Sequence, residues 1–180
     1  MATHNDNDLI TLLRQDTEQG FRLLMARYKE AVYWHIRRLV VSHSDAQDAC
    51  QEAFVRIFRS FNAFKGDSTF SVWIYRIATN EALRILSHKR DGQVSLDDKE
   101  AKTGNMAVDE YTDYSDLEAV KLQRAILSLP TKQQVAFNLR YYDDLGYNEI
   151  AQITASTAAS VKANYHLAKE KIIKFMNSND

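Results

Sequence analysis

One cysteine, one proline and five glycines in 180 residues leave little of what a disulfide-built or turn-rich chain would need. Cys50, standing alone on an apolar helical stripe, makes neither an internal disulfide nor a metal site, so nothing argues for an oxidising compartment. With few turn residues set against 45% hydrophobic ones, tight β-hairpins are disfavoured and an all-α chain is expected. The opening MATHNDNDLI lacks the basic-then-apolar pattern of a signal peptide, and no apolar run approaches the roughly 20 residues that cross a bilayer. The expectation is a cytoplasmic protein with no membrane insertion. There is no phosphate-binding glycine loop and no cysteine–histidine cluster, and the histidines (His4, His35, His43, His88, His166) are scattered. No metal, cofactor or catalytic centre is expected, and the chain is not read as an enzyme.

Charge of one sign is also scarce in total, with a net −1, but the total hides a segregation. Residues 1–20 carry four anions against one cation, and residues 21–90 twelve cations against six anions. Residues 91–118 hold nine anions against two cations, and residues 119–180 eight cations against five anions. Two basic modules separated by an acidic strip point to polyanion binding by the modules and a different task for the strip.

Apolar spacing divides the first module into helices. Residues 7–15 read as a short one, and a second starts near Thr17. Its single apolar face is Phe21, Leu24, Met25, Tyr28, Ala31, Val32, His35, Ile36 and Leu39, with His35 a core residue. From Ser44, with Gln47 as a capping box, a third helix turns Ala46, Ala49, Cys50, Ala53, Phe54, Ile57, Phe58 and Phe61 inward. Asp48, Gln51, Glu52, Val55 and Arg59 face the other way, toward solvent or a partner.

Gly66 then breaks the helix, and Asp67 or Ser68 caps the next. The buried stripe of that helix is Phe70, Trp73, Ile74, Ile77, Ala78 and Ile85. Arg76, Asn80 and Arg84 recur at i, i+4 and i+8, followed by Ser87, His88 and Lys89-Arg90. No carboxylate is expected to answer these arginines along the ridge. Such a ridge suits a phosphate backbone, with Asn80 able to read a base edge.

From Asp91 to Ser115 the helical period vanishes, which reads as a flexible acidic linker. Ser115 and Glu118 then cap a helix to about Leu127 that carries Ala119, Leu122 and Ile126. Pro130 stops it, and Thr131 with Gln134 opens the next, with Val135, Leu139 and Tyr142. After Gly146 come a short helix (NEIAQI), a turn (TAST) and a longer helix. The buried seam of the last is Ala158, Val161, Tyr165, Ala168, Ile172 and Phe175. A short helix, a tight turn and a longer amphipathic helix make a helix-turn-helix, whose second helix normally enters the major groove. Opposite the seam lie Ala159, Ser160, Lys162, Ala163 and His166, with Asn164 on the flank. These supply donors for bases or phosphates and a methyl for thymine.

The run DAQDACQEAF, followed by FKGDSTFSVWIYRIATNEA, resembles conserved region 2 of the sigma-70 family. LPTKQQVAFNLRYYDDLGYNEIAQI with SVKANYHLAKEKI resembles its region 4, in the small group-4, or extracytoplasmic-function (ECF), form. The resemblance implies an all-α chain of two small helical modules: an N-terminal arm at 1–20, region 2 at 21–90, the flexible acidic linker at 91–115 and region 4 at 116–177. The function it implies is that of an RNA polymerase sigma factor. Such a subunit binds core polymerase, recognises the −10 and −35 promoter elements and promotes melting.

Carried over by position, Asp48, Gln51 and Glu52 match the surface that docks on the clamp helices of the largest polymerase subunit. Lys65, Gly66, Asp67 and Ser68, with Arg76, Asn80 and Arg84, match the −10 reader, where a base flipped from the duplex is held in a pocket. Ser160, Lys162, Ala163, Asn164 and His166 match the −35 recognition helix. Two features depart from the family: Thr154-Ala155-Ser156 replaces the glycine common in the turn, and Asn164 and Leu167 stand where many relatives carry arginine. Trp73 is expected in the core, and Tyr75 is a candidate for base stacking. The linker is expected in the RNA-exit path of the polymerase, and an anti-sigma factor wedged between the modules is an expected partner. The alternative reading is a stand-alone helix-turn-helix regulator that uses residues 21–90 for dimerisation or sensing.

Overall fold

The computed structural model describes residues 5–94 and 116–178. Among the described residues are eight α-helices, one 3-10 turn and no strand. The first module holds α1 (Asp6–Gln15), α2 (Thr17–Val40), α3 (His43–Ser60), the 3-10 turn Phe61–Ala63 and α4 (Phe70–Val94). The second holds α5 (Leu117–Leu127), α6 (Thr131–Tyr141), α7 (Tyr147–Thr154) and α8 (Ala158–Asn177). The chain is all-α and built of two helical modules.

In the first module, Leu24, Val32 and Ile36 of α2 meet Ala46, Ala49, Ala53 and Ile57 of α3 and Ile74, Ala78 and Ala82 of α4. The alanines on α3 and α4 have no bulk beyond Cβ, so the three helices pack closely. Helix α1 is part of this core, with Leu9 and Leu13 fully buried. Its Asp6 accepts from the Tyr28 hydroxyl at 2.8 Å and pairs with Arg27 at 3.1 Å. His35 is fully buried as a core residue and shares a 2.7 Å hydrogen bond with Thr79.

Several helix starts differ from the sequence reading. Helix α3 begins at His43 and is capped by Ser42, not Ser44; the Ser42 hydroxyl accepts from Asp45 N at 3.3 Å. The cause lies just upstream. Val41 adopts φ 69°, ψ −44°, and Ser42 N donates back to the Val40 carbonyl at 2.8 Å, a γ-turn that reverses the chain early. Thr69, rather than Asp67 or Ser68, caps α4 and accepts from Val72 N at 3.2 Å. Asp116 caps α5, accepting from Ala119 N at 3.1 Å, while Ser115 lies outside the described residues. At α6 the N-cap is Pro130, and the Gln134 amide donates to the Arg38 carbonyl at 3.4 Å instead of closing a capping box.

Helix α4 continues four residues past Arg90 to Val94, and the rest of the expected linker, residues 95–115, lies outside the described residues. The second module has its own small core of Ala125, Ile126, Leu129, Phe137, Ala168 and Ile172. Val135, Ala136, Leu139, Ile150, Ile153 and Val161 instead join the core of the first module. The two modules therefore share one apolar interior, with α7 lying against α4.

Candidate functional site

A groove of about 1330 Å³ opens between α2 and α3. Its floor and walls are apolar: Phe21, Met25, Trp34, Phe54, Val55 and Phe58. Asp48 and Gln51 line it from α3 and both are exposed, with Lys29 and Arg59 also on its lining. Glu52, expected beside them, is half-buried and turned toward Arg56 at 3.6 Å. Phe58 departs from the inward stripe read from the sequence. It is 47% exposed and packs edge-on against Phe21, with ring centroids 5.2 Å apart, as part of the groove wall. Cys50 borders the same groove but is buried, and burial pushes its thiol pKa up, so it stays an inert thiol. An apolar trough with an acid and an amide on its lining fits an amphipathic helix from a partner.

The second surface lies on α4 and the loop before it. Lys65, Gly66, Asp67 and Thr69 are exposed and Ser68 is half-buried, between the buried anchors Phe64 and Phe70. Those rings meet at 5.3 Å, and Trp73 packs on both at 5.5 Å, so Trp73 belongs with the core cluster. Gly66 takes φ +83°, which an L side chain adopts only with strain. The loop is thus an exposed, glycine-hinged span between fixed aromatic posts.

Two expectations on α4 are corrected. A carboxylate does answer the ridge: buried Glu81 accepts from Arg84 Nε and Nη2 at 3.1 and 3.0 Å and also pairs with Arg56 of α3. The planar guanidinium of Arg84 is fixed by this fork, its head half-exposed and its charge partly answered. Glu81 sits three residues before Arg84, a helical neighbour that a reading along the ridge alone passes over. Tyr75 does not face solvent for stacking. It is buried, and its hydroxyl donates to Asp143 Oδ1 of the second module at 3.1 Å. Asn80 is exposed. Arg76 Nε donates to the Gln152 carbonyl of α7 at 3.0 Å.

The third surface is α8. Thr157 caps it, accepting from Ser160 N at 3.1 Å, and Val161, Ala168 and Ile172 form its buried seam. Ser160, Lys162, Ala163 and His166 are exposed on the other side and Asn164 is half-buried. In the preceding turn Ala155 adopts the left-handed conformation, φ 52° and ψ 46°, at the place where a glycine is absent.

Sequence reasoning separated the α4 ridge from the face of α8; the structure brings them together. Arg76, Thr79, Asn80 and Leu83 line one cleft of about 300 Å³ with Ser160, Val161 and Asn164. Beneath it, Asp143 from the α6–α7 loop is set among groups of the first module. It lies 3.8 Å from Arg38 and 3.7 Å from His35, besides the Tyr75 bond. Burial raises the Asp143 pKa to about 6 against the lowering pull of Arg38, and burial also lowers that of His35 to about 3. At neutral pH the imidazole is uncharged, so the His35–Asp143 approach is not an ion pair. Arg38 also stacks on the Tyr142 ring at 4.3 Å. Among the described residues no cluster of His, Cys, Asp and Glu is arranged to hold a metal, and no helix is long and apolar enough to cross a membrane.

Comparison with known proteins agrees with this two-module layout. Residues 24–91 match the family model described as sigma-70 region 2, and residues 119–172 match that of sigma-70, region 4. The chain is 32% identical over 176 residues to the ECF RNA polymerase sigma-E factor of Escherichia coli K12, covering 93% of this chain and 92% of that protein. It is 29% identical to the RNA polymerase sigma-H factor of Pseudomonas aeruginosa, with 97% and 95% of the two chains covered. Among solved structures, CnrH in complex with the cytosolic domain of CnrY superposes with a TM-score of 0.71 at 18% identity over 96% and 97% of the chains. Bartonella quintana RpoE, in complex with the anti-sigma factor NepR, gives 0.75 at 16% over 90% and 99%.

Proposed function

This chain belongs to the sigma-70 family, in its ECF branch, and on that premise we propose how its own surfaces divide the work of an RNA polymerase sigma factor. It is a subunit that binds core polymerase and directs it to promoters. The groove between α2 and α3 receives the clamp helices of the largest polymerase subunit, with apolar side chains in the trough and Asp48 and Gln51 meeting cations of the partner. Glu52 supports that face from the side. The loop Lys65–Ser68 with Arg76, Asn80 and Arg84 reads the −10 element. There the exposed loop backbone and the Asn80 amide hydrogen-bond an extruded base, and the arginines hold phosphates. The face Ser160, Lys162, Ala163, Asn164 and His166 reads the −35 element in the major groove. Residues 21–90 and 116–177 act as regions 2 and 4, tied by the acidic strip. The working compartment is the cytoplasm, where the polymerase is.

One observation carries this division. Asp48 and Gln51 line one concavity, while Arg76 and Asn80 line another on a different helix. An anti-sigma factor is the expected inhibitor, as the structural neighbours in complex with CnrY and NepR suggest by analogy of fold. The test is a pair of single variants in a reconstituted system with core enzyme. Asp48→Lys should weaken core binding at least tenfold with an unchanged melting temperature. Asn80→Ala should leave core binding intact and reduce promoter-specific initiation. Loss of core binding in the Asn80 variant, or full core binding by the Asp48 variant, would overturn the division of surfaces.

A further inference from the structure

The carboxylate that answers the α4 ridge is buried and reached from two helices. Each oxygen of Glu81 takes a different guanidinium. Oε1 meets Arg56 Nε of α3 at 2.5 Å, and Oε2 accepts from Arg84 Nε and Nη2 at 3.1 and 3.0 Å. Arg56 also lies 3.6 Å from Glu52, one turn back on α3. Both arginine side chains are about half-exposed, so the cations keep much of their water while the anion gives up its own. A buried ion pair of this kind adds little net stability over an apolar side chain, because desolvation offsets the attraction. It also adds nothing to the pull on DNA, since Glu81 cancels one of the two positive charges beside it. What the carboxylate does supply is a fixed place for Arg84.

An arginine with no such partner samples many rotamers and follows a phosphate wherever one lies, which gives attraction without register. Here the fork uses Nε and Nη2 and leaves the Nη1 amine for a further acceptor. Asn80, one turn earlier on the same face, is exposed and about 6 Å away along the helix axis. We propose that Glu81 is a positioning residue that sets −10 specificity. It holds Arg84 at one place relative to Asn80, so that phosphate contact and base contact are made together only on a correctly placed strand. The proposal rests on the reading of α4 as the −10 reader. It predicts two opposed effects when the carboxylate is neutralised. Binding to DNA of any sequence should strengthen, because an anion that repels phosphates is gone. Discrimination among sequences should weaken, because Arg84 then adapts to misplaced strands. A carboxylate that only tied α3 to α4 would give no such loss of discrimination.

The test uses the full chain bound to core polymerase and a promoter library randomised over both elements, transcribed in vitro and read by sequencing. Discrimination is the yield from the preferred −10 element over that from its single-base mismatches. General affinity is binding of the same complex to a 40-base-pair random-sequence duplex. Glu81→Gln, isosteric and uncharged, should cut discrimination by about threefold or more and raise general affinity. Arg84→Lys keeps the charge but not the planar fork, and it leaves the buried position untouched. It should cut discrimination likewise, which decides the matter if Glu81→Gln lowers the melting temperature. Arg84→Ala should also discriminate less, and adding Glu81→Gln to it should change discrimination no further, whereas a tie between helices would act there all the same. The proposal falls if Glu81→Gln or Arg84→Lys discriminates as the parent does, or if Glu81→Gln acts equally with and without Arg84. An Arg84→Ala chain that discriminates like its parent would sink the reading of α4 as well. Loss in Arg84→Ala with none in Glu81→Gln would sink the role of Glu81 alone.

Discussion

Replacing Gly20 by alanine sets two effects of opposite sign against each other, and the structure decides between them. Gly20 lies in the first turn of α2, where alanine is favoured over glycine by up to about 1 kcal/mol on helix propensity alone. Yet it is also where α1 crosses. A Cβ added there would lie 2.6 Å from Leu13 Cα, 2.7 Å from Leu13 N and 3.0 Å from Leu12 C. These are backbone atoms, so no rotamer change relieves the contact, and α1 must move outward by about 1 Å to restore a normal separation. That shift pulls on Leu9 and Leu13, whose full burial is worth about 1.5–3 kcal/mol each, and on the Asp6 contacts to Tyr28 and Arg27. Overpacking of this kind costs about 1–3 kcal/mol, so the net expectation is a destabilisation of about 1–2 kcal/mol after the propensity gain. Urea unfolding followed by circular dichroism measures it directly. Phe21, the next residue, lines the groove assigned to the polymerase, so core binding should weaken in the same variant. A Gly20→Ala chain as stable as its parent, or more stable, would refute the close helix approach on which the reasoning rests.

Ala155→Gly should raise stability by about 0.5–1 kcal/mol, because relief of a left-handed strain of about 1–2 kcal/mol outweighs the roughly 0.5–1 kcal/mol that glycine's unfolded-state entropy costs. A lower melting temperature would mean that Ala155 is not left-handed in solution. Asp143 and His35 oppose each other in acid. Burial raises the Asp143 pKa from its ordinary 3.8 to about 6 in the folded chain, so the folded chain protonates first and gains stability as pH falls through that window. His35, lowered from 6.5 to about 3, does the reverse: the unfolded chain protonates first, and stability is lost as pH falls below 6.5. Asp143→Asn leaves only the histidine slope, so between pH 6.5 and 4.5 it should lose about 2 kcal/mol more than the parent. Stability curves that stay parallel over that range would contradict the burial assigned to Asp143.

The helices and their inward faces were legible because a period of three and four residues records which side is apolar. Leu24, Val32, Ile36, Ile74 and Val161 all follow it into the core. His35, a polar residue on that stripe, was legible for the same reason. Periodicity does not record where the chain turns, so the caps are Ser42 rather than Ser44 and Thr69 rather than Asp67 or Ser68, the first displaced by the γ-turn at Val41. Nor does it record what an apolar face packs against. Phe58 carries the right spacing for the interior but stays 47% exposed, its ring set edge-on against Phe21 of α2 as a groove wall. Glu81 and Tyr75 escaped for a related reason. The partners of one lie on a neighbouring helix as well as its own, and the partner of the other is 68 residues away in sequence. The candidate surfaces were thus found by residue type and spacing, while the way two of them face each other belongs to tertiary structure alone.

The contact between the two modules sets apolar burial against buried polar atoms. An interface meant to be permanent satisfies its buried polar atoms, since each one left without a hydrogen bond costs about 1–3 kcal/mol. Here His35 Nδ1 lies 3.7 Å from Asp143 Oδ2 and Arg38 Nη1 lies 3.8 Å from Asp143 Oδ1, and His35 Nδ1, Arg38 Nη1 and Asp143 Oδ2 are buried without a hydrogen-bond partner. Separation of the modules would return all three to water and recover that penalty, offsetting part of the apolar burial given up by Ile150 and Ile153. The apolar contact thus favours the closed chain and the polar atoms oppose it.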